Sequence, residues 1–253
     1  MFSQERKQSI LNKLELEGTV LVSKLSKEFE VSEVTIRRDI KELEEKSLLT
    51  RTFGGAVPIE FKKFEPSFNE KKDKYLDEKI KIGKVAASLI KDDDTILLDS
   101  GTTTLEIARN LTAKNLTVIT NSLDISLLLS NKNNINLIII GGSYRLPTRS
   151  IVGALTLDII NKFIVDKAFI GVNCVSIKNG LTTPDINEAL TKKAMINIAN
   201  NVIIVADHSK FNKITLSKIC GFADIDFIIT DNNIDKEILD SYKNLNLNIK
   251  ISE

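Results

Sequence analysis

At 253 residues the chain has room for one large domain, or for a small domain beside a medium one. Hydrophobic residues at 42% and charged ones at 27% fit a folded globular protein rather than a disordered one, and a formal net charge of +1 gives no bulk attraction to nucleic acid. One histidine, no tryptophan and two distant cysteines, Cys174 and Cys220, argue against His-based catalysis and a metal centre, and no cofactor is implied.

The first 57 residues carry short helical patterns. Ile10, Leu11 and Leu14 recur at helical spacing over 4–17, and Gly18 stands where a C-terminal cap belongs. A second helix is expected over 22–30 with Leu25 and Phe29 inward. After a brief turn, Ser32 is the expected N-cap of a third helix over 33–47. Three short helices with a tight turn between the last two form the helix-turn-helix pattern, whose final helix enters the major groove. At about 100° per residue, Ile36, Ile40 and Leu43 share one narrow arc, which packs inward. Val34, Thr35, Arg37, Arg38 and Lys41 fall opposite, and offer cations for phosphates, a hydroxyl, and an apolar group for a thymine methyl. Two short strands around Gly54-Gly55 then read as a wing, with Arg51 as a DNA contact. Residues 1–60 hold 10 Lys/Arg against 11 Asp/Glu, so the case for DNA rests on placement rather than on net charge.

Residues 61–81, FKKFEPSFNEKKDKYLDEKIK, read as a charged linker running into a helix, with Lys71, Lys72 and Lys74 on a solvated face. From about Lys84 the texture changes. Apolar runs at 95–99, 116–120, 136–142, 167–172, 201–207, 226–231 and 247–252 look like strands buried on both faces. Helical patterns at 103–111, 123–130, 155–163, 187–200 and 235–244 alternate with them, so a mostly parallel, doubly wound sheet is expected. The organisation is therefore an N-terminal winged helix-turn-helix (1–57), a linker and helix (58–80), and a C-terminal α/β domain (81–253).

The sharpest local signal is LLDSGTTTLEIARNL: a strand ends at Asp99, Ser100, Gly101, Thr102 and Thr103 follow, and a helix starts at once. Free amides at a helix start, the positive end of its dipole and nearby hydroxyls hold a phosphate without a Walker lysine; a merely capped helix start is the competing reading. Further loops after strand ends carry Asn121, Gly141-Gly142 with Arg145, Gly171, and Asp207-His208-Ser209-Lys210. Ligands of open α/β sheets converge on that edge. Hydroxyls, an amide and two cations, Arg145 and Lys210, suit a small, polar, phosphorylated ligand.

The segment VSEVTIRRDIKELEEKSLLTRTFGGAV closely resembles the signature of the DeoR family of bacterial transcription regulators. The TIRRD core and the Arg-x-x-Gly-Gly-Ala wing match, whereas Phe53 stands where the wing usually has His and Ser47 where Gly is common. The resemblance continues through DSGTTTLEIA, VITNSLDIS, GGSYR, DKAFIGV, NEALTKKAM and ADHSKF to about Asn233. It implies a C-terminal domain similar to ribose-5-phosphate isomerase that binds a sugar phosphate as effector. By position, Ser100, Gly101, Thr102 and Thr103 would hold the phosphate with help from Lys210. Asn121, Gly142, Arg145, Asp166 and Lys192 would face the sugar.

The expected function is a sequence-specific regulator of sugar-metabolism genes, most simply a repressor. Its partners would be double-stranded operator DNA, a phosphorylated sugar, and further copies of itself as a dimer or tetramer. Ser32, Val34, Thr35, Arg37, Arg38, Lys41 and Arg51 would carry DNA binding. A sugar-phosphate isomerase with an appended DNA-binding domain is the alternative, with Asp166, Asp185 or Glu188 as base. A ligand-free architectural DNA-binding protein is a third reading, but it would need only the first 57 residues. With no apolar run near 18 residues and a charged start, MFSQERKQSI, a cytoplasmic address, reduced cysteines and no membrane partner are expected.

Overall fold

In chain order the N-terminal unit consists of α1 (Ser3–Glu17), β1 (Val20–Leu21), α2 (Val22–Glu28), α3 (Glu33–Glu45), β2 (Thr50–Thr52) and β3 (Gly55–Val57). The computed structural model describes residues 3–17, 19–46, 48–52, 54–57, 67–245 and 247–253; Gly18, Ser47, Phe53 and the first part of the expected linker, 58–66, lie outside them. Ile10 and Leu14 of α1, Leu25 of α2 and Ile36, Ile40 and Leu43 of α3 form one core with Val20, Leu49 and Ala56. The arc of α3 read from periodicity is thus the buried one. Ser32 caps α3, its hydroxyl accepting the Thr35 N–H at 3.2 Å. Asp39 is buried on the same inward side and takes a forked ion pair from Arg6 of α1, at 2.5 and 3.2 Å.

The wing holds three strands in the order β1-β3-β2 rather than the two expected. A two-residue strand such as β1 has no periodicity to read. Its pairing also explains a glycine, because a Cβ on Gly55 would lie 1.9 Å from the Val20 carbonyl oxygen.

The larger unit takes in residues 65–211 and 215–253. It begins with α4 (Phe68–Asp73) and α5 (Leu76–Ala87). Then come β4 (Thr95–Leu98), α6 (Thr102–Arg109), β5 (Leu116–Thr120), α7 (Leu123–Leu129) and β6 (Ile135–Ile139). A hairpin, β7 (Ser143–Arg145) and β8 (Ser150–Val152), precedes α8 (Ala154–Ile160) and β9 (Val165–Gly171). The rest is β10 (Cys174–Ser176), β11 (Gly180–Thr183), α9 (Ile186–Asn197), β12 (Ala199–Val205), β13 (Ser217–Cys220), β14 (Phe227–Asp231), α10 (Lys236–Lys243) and β15 (Asn248–Ser252).

Seven of these strands form a wholly parallel sheet in the order β15-β14-β12-β9-β4-β5-β6. Period-two alternation sends neighbouring residues to opposite faces. Ile96, Leu98, Val118, Phe169, Ile203 and Ile229 face a layer with Ile82 of α5, Ile107 of α6 and Ile125 of α7. Leu97, Ile119, Ile170, Ile204 and Ile228 face the other, with Ile160 of α8, Met195 of α9 and Tyr242 of α10. The expectation of strands buried on both faces holds for the inner five, apart from Asn200 and Asn201 near the start of β12, and fails for the edge strands β6 and β15, where Asn136, Ile139, Asn248 and Lys250 are exposed.

The hairpin β7-β8 and the antiparallel sheet β10-β11-β13 were not expected. Their strands are three or four residues long and rich in Ser, Thr and Gly, so neither propensity nor pattern announces them. No helix among the described residues is long and apolar enough to cross a membrane.

From β4 the chain builds outward through β5 to β6, then returns to the other side of β4 with β9 and builds outward again through β12, β14 and β15. The order reverses between β4 and β9. In an open α/β sheet, the carboxyl ends of such a pair leave a crevice for a ligand.

Candidate functional site

The outer face of α3 and the wing carry the seven residues expected to meet DNA. Val34 is 76% exposed. Arg37, Arg38 and Lys41 each reach one turn along the helix to a carboxylate: Glu33 at 3.0 Å, Glu42 at 3.3 Å and Glu45 at 3.8 Å. Arg51, on β2, lies 3.8 Å from Glu44. Ser32 and Thr35 share a hydroxyl–hydroxyl bond of 2.9 Å at the start of α3. Glu42 also takes a hydrogen bond from Lys7, which with Arg38 holds its carboxyl below the usual range. Exposed pairs one turn apart are worth about 0.3–0.5 kcal/mol, so these carboxylates hold the cations only weakly.

The larger unit builds a second site at the β4/β9 reversal. The loop from β4 into α6 is stapled by Thr104, whose fully buried hydroxyl accepts the Gly101 N–H at 2.8 Å and lies 2.5 Å from the Asp99 carbonyl oxygen. The first helical bond of α6 runs from Leu105 N–H to Gly101 O, 3.0 Å. The amides of Thr102 and Thr103 therefore precede the helical ladder and sit at the positive end of the dipole. They border a crevice of about 590 Å³, open space at its mouth included, lined by Ser100, Gly101, Thr102 and Thr103.

Four lysines line the same crevice, and their environments differ. Lys192 of α9 is locked: it pairs with the buried Asp99 and donates to the Gly171 carbonyl at 3.0 Å, while the Gly171 N–H donates back to Asp99 at 3.1 Å. Lys79 of α5 is buried and donates to the Lys71 carbonyl and, at 2.6 Å, to that of Lys74, where the chain leaves α4. Burial pushes its pKa down to about 8, opposed by the nearby Asp207 charge and reinforced by Lys210 and Lys71. Lys210 is looser, 3.8 Å from an Asp207 carboxylate oxygen that has no hydrogen-bond partner among the described residues. The other Asp207 oxygen accepts the Ser209 N–H at 3.1 Å and shapes the turn His208–Lys210. Lys71, expected on a solvated face, also borders the crevice.

Of the ten residues expected to bind an effector, six line the crevice: Ser100, Gly101, Thr102, Thr103, Lys192 and Lys210. Arg145 stands behind it, its guanidinium 3.4 Å from both Asp185 and Glu188. Asn121 is buried and holds the hairpin in place, its amide donating to the Ile151 carbonyl at 2.9 Å. Gly142 serves packing: at φ 149° a Cβ there would lie 1.9 Å from the Thr156 hydroxyl. Asp166 requires a correction. It stands at the start of β9 and accepts the Thr95 N–H at 2.8 Å, at the amino end of the sheet. At about 3.3 Å per residue, the five residues up to Gly171 put it about 16 Å from the crevice.

Residue-type reasoning passed over Lys79, Asp99, Thr104 and Asn173. Lys79 left a legible trace, since it occupies the apolar stripe 79, 82, 83, 86 of α5. His208 serves the fold, with its ring nitrogen 2.9 Å from Asp231 and its ring edge-on to Tyr75. Burial raises the Cys220 thiol to about 12. Among the described residues no cluster of three or more His, Cys, Asp or Glu is arranged to hold a metal ion.

Comparison with known proteins finds a family model for each part of the chain. Residues 6–61 match the DeoR-like helix-turn-helix domain, and residues 74–232 match the DeoR C-terminal sensor domain. The chain belongs to the DeoR family. A relative in Bacillus subtilis (strain 168), the HTH-type transcriptional regulator IolR, is 40% identical over 92% of this chain and 92% of its own. The lactose phosphotransferase system repressor of Lactococcus lactis subsp. lactis is 35% identical, covering 96% of each chain. The Bacillus subtilis transcriptional repressor GlcR is 35% identical over 91% of this chain and 89% of its own. Among solved structures, ribose 5-phosphate isomerase A of Methanocaldococcus jannaschii aligns over 54% of this chain and 55% of its own, at TM-score 0.39 and 22% identity. This DeoR-family chain therefore carries the family's helix-turn-helix and its sensor domain in one polypeptide.

Proposed function

We propose that this DeoR-family protein is a DNA-binding repressor of sugar-metabolism genes, released from its operator by a phosphorylated sugar. The observation that carries the effector half is the start of α6 at the β4/β9 reversal, with free amides, three hydroxyls and the cations Lys79 and Lys210 around one crevice. Ser100, Gly101, Thr102 and Thr103 take the phosphate, and Lys79 and Lys210 neutralise it. Lys192, already satisfied by Asp99, orients the floor of the site. On the DNA side, α3 enters the major groove. Arg37, Arg38, Lys41 and Arg51 meet phosphates or base edges, Ser32 and Thr35 contact the backbone, and Val34 meets a thymine methyl. The names of the lactose and GlcR repressors support this reading.

Control follows from linkage. Two or four copies present paired recognition helices to spaced half-sites. A sugar phosphate that binds one conformation of the sensor better shifts the population away from the DNA-binding arrangement. Lys79 gives that shift a physical start, because its ammonium faces the crevice and also holds the carbonyls at the end of α4. The three carboxylates expected as an isomerase base are otherwise engaged. Glu188 is surrounded by Thr148, Ser150, Thr183 and Arg145, Asp185 caps α9, and Asp166 is far away.

Fluorescence anisotropy on DNA from upstream of the protein's own gene, titrated with phosphorylated and unphosphorylated sugars, tests the proposal. Specific binding that one phosphorylated sugar releases is the expected outcome. Binding that no phosphate ester alters would remove the effector half, and no binding to any fragment would remove the DNA half.

A further inference from the structure

The two edges of the seven-stranded sheet are unlike. One is β15, which carries an exposed lysine, Lys250. The other is β6, and residues 133–144, which run from before β6 into the following hairpin, contain no Asp, Glu, Lys or Arg. Among the described residues no strand pairs with the outer side of β6. An edge strand offers unpaired N–H and C=O groups to other chains, and charged residues or proline ordinarily block it. Within Ile-Asn-Leu-Ile-Ile, the sequence of β6, there is neither.

The outward groups follow from one bond. The Ile140 N–H donates to the Thr120 carbonyl of β5 at 2.9 Å, so Ile140 faces β5. A residue's N–H and C=O lie on one side of a strand, and the side alternates along it. Asn136 and Ile138 therefore also turn their backbone groups to β5, and Leu137 and Ile139 turn theirs outward. Such groups on Leu137 and Ile139, with Ile138 between them, match antiparallel pairing about a two-fold axis at Ile138. Leu137 of each copy then stands opposite Ile139 of the other, and each of these pairs exchanges both N–H···O bonds. Ile139 is 51% exposed, and the helices on the two faces add Leu127 of α7 at 74% and Leu155 of α8 at 59%.

A two-fold axis brings residues beside it close to their own copies, so an edge that pairs with itself must keep like charges away. The uncharged run around β6 meets that condition, and Lys250 at the middle of β15 fails it. We infer that β6 is a self-association surface, on which a second copy of this chain adds its own β6 antiparallel and joins two seven-stranded sheets into one. This rests on the reading of paired copies on operator DNA and deepens it by naming the surface that joins them.

The test is sedimentation velocity on the full chain over about 0.1–50 μM, with residue-resolved hydrogen exchange at both ends of that range. The natural protein should dimerise. The amides of Leu137 and Ile139 should exchange about tenfold or more slowly at the high concentration, whereas that of Ile140, already bonded to Thr120, should be protected at both. Ile139→Lys sets a charge on the edge at a half-exposed position and should weaken the dimer by about tenfold or more, with circular dichroism unchanged. Asn136→Lys, at an exposed position on the other face of the strand, serves if that variant does not fold. An oligomer that neither charge weakens, or one in which the Leu137 and Ile139 amides exchange freely, overturns the β6 pairing and leaves the paired copies standing. A chain that stays monomeric across the range overturns both.

Discussion

The outer face of α3 and the crevice beside α6 use charge in opposite ways. On α3 every cation is exposed and leans on a carboxylate one turn away, so the face is a row of weak, independent contacts. In the crevice the charges are buried and interlocked: Lys192 with Asp99 and Gly171, Glu188 with Thr148, Thr183 and Arg145, and Lys79 with two carbonyls. An exposed cation can be deleted without harm to the fold. A buried one cannot, because its partner keeps the desolvation penalty. The contrast teaches that the exposed face of α3 is built from separable parts, and that the crevice is built as one piece.

The sharpest break of that rule lies inside the DNA-binding unit itself, at Asp39. Asp39→Ala leaves the Arg6 guanidinium buried without its forked partner and should cost about 3–5 kcal/mol. Chemical denaturation should show an early transition that abolishes DNA binding while the sensor unit melts near its normal point; an unchanged midpoint would mean the pair contributes nothing.

Arg38→Ala removes a cation with an 81% exposed side chain. It should weaken operator binding by about 1–3 kcal/mol and leave effector affinity and thermal stability unchanged. Loss of effector binding as well would show that the two sites are not separable.

A third prediction concerns pH. An unfolded lysine keeps its proton to about 10.5, while Lys79 in the fold gives it up near 8. Between those values the unfolded chain holds the extra proton, so Lys79 contributes a stability that rises with pH. A phosphate dianion bound beside the ammonium retains the proton. Effector affinity should therefore fall as pH climbs through about 8, approaching tenfold per unit, and Lys79→Met should flatten the profile. A natural protein whose affinity is level from pH 7 to 9.5 would separate Lys79 from the phosphate. Smallest of all, Arg37→Ala should change stability by no more than about 0.5 kcal/mol, since it breaks one exposed pair with Glu33.

How far the sequence could be read follows from range. Periodicity and capping gave the inward arc Ile36, Ile40, Leu43 and the capping serine Ser32, and the strand-end loops put Ser100, Gly101, Thr102, Thr103 and Lys210 beside the crevice, because each depends on neighbours within one or two helical turns or on the end of one strand; Lys192 came only from the family resemblance. Periodicity missed β1, whose two residues pair with partners 36 and 34 positions on. The resemblance implied that Asp166 faces the sugar, but the order of residues along β9 places it at the far end of the sheet. One rule would have served better. On α5 and α9 the inward stripe carries Lys79, and Glu188 with Thr191 and Lys192, and polar residues on such a stripe mark a wet interior.

The sequence by itself determined the two folding units, the alternation of strand and helix and the cationic face of α3, since these follow from hydrophobic period and capping chemistry. Only the tertiary structure decided which charges are free. Lys192 and Lys210 look alike along the chain, and 93 residues separate Lys192 from the Asp99 that neutralises it. Burial makes that pairing obligatory, and no local pattern encodes it.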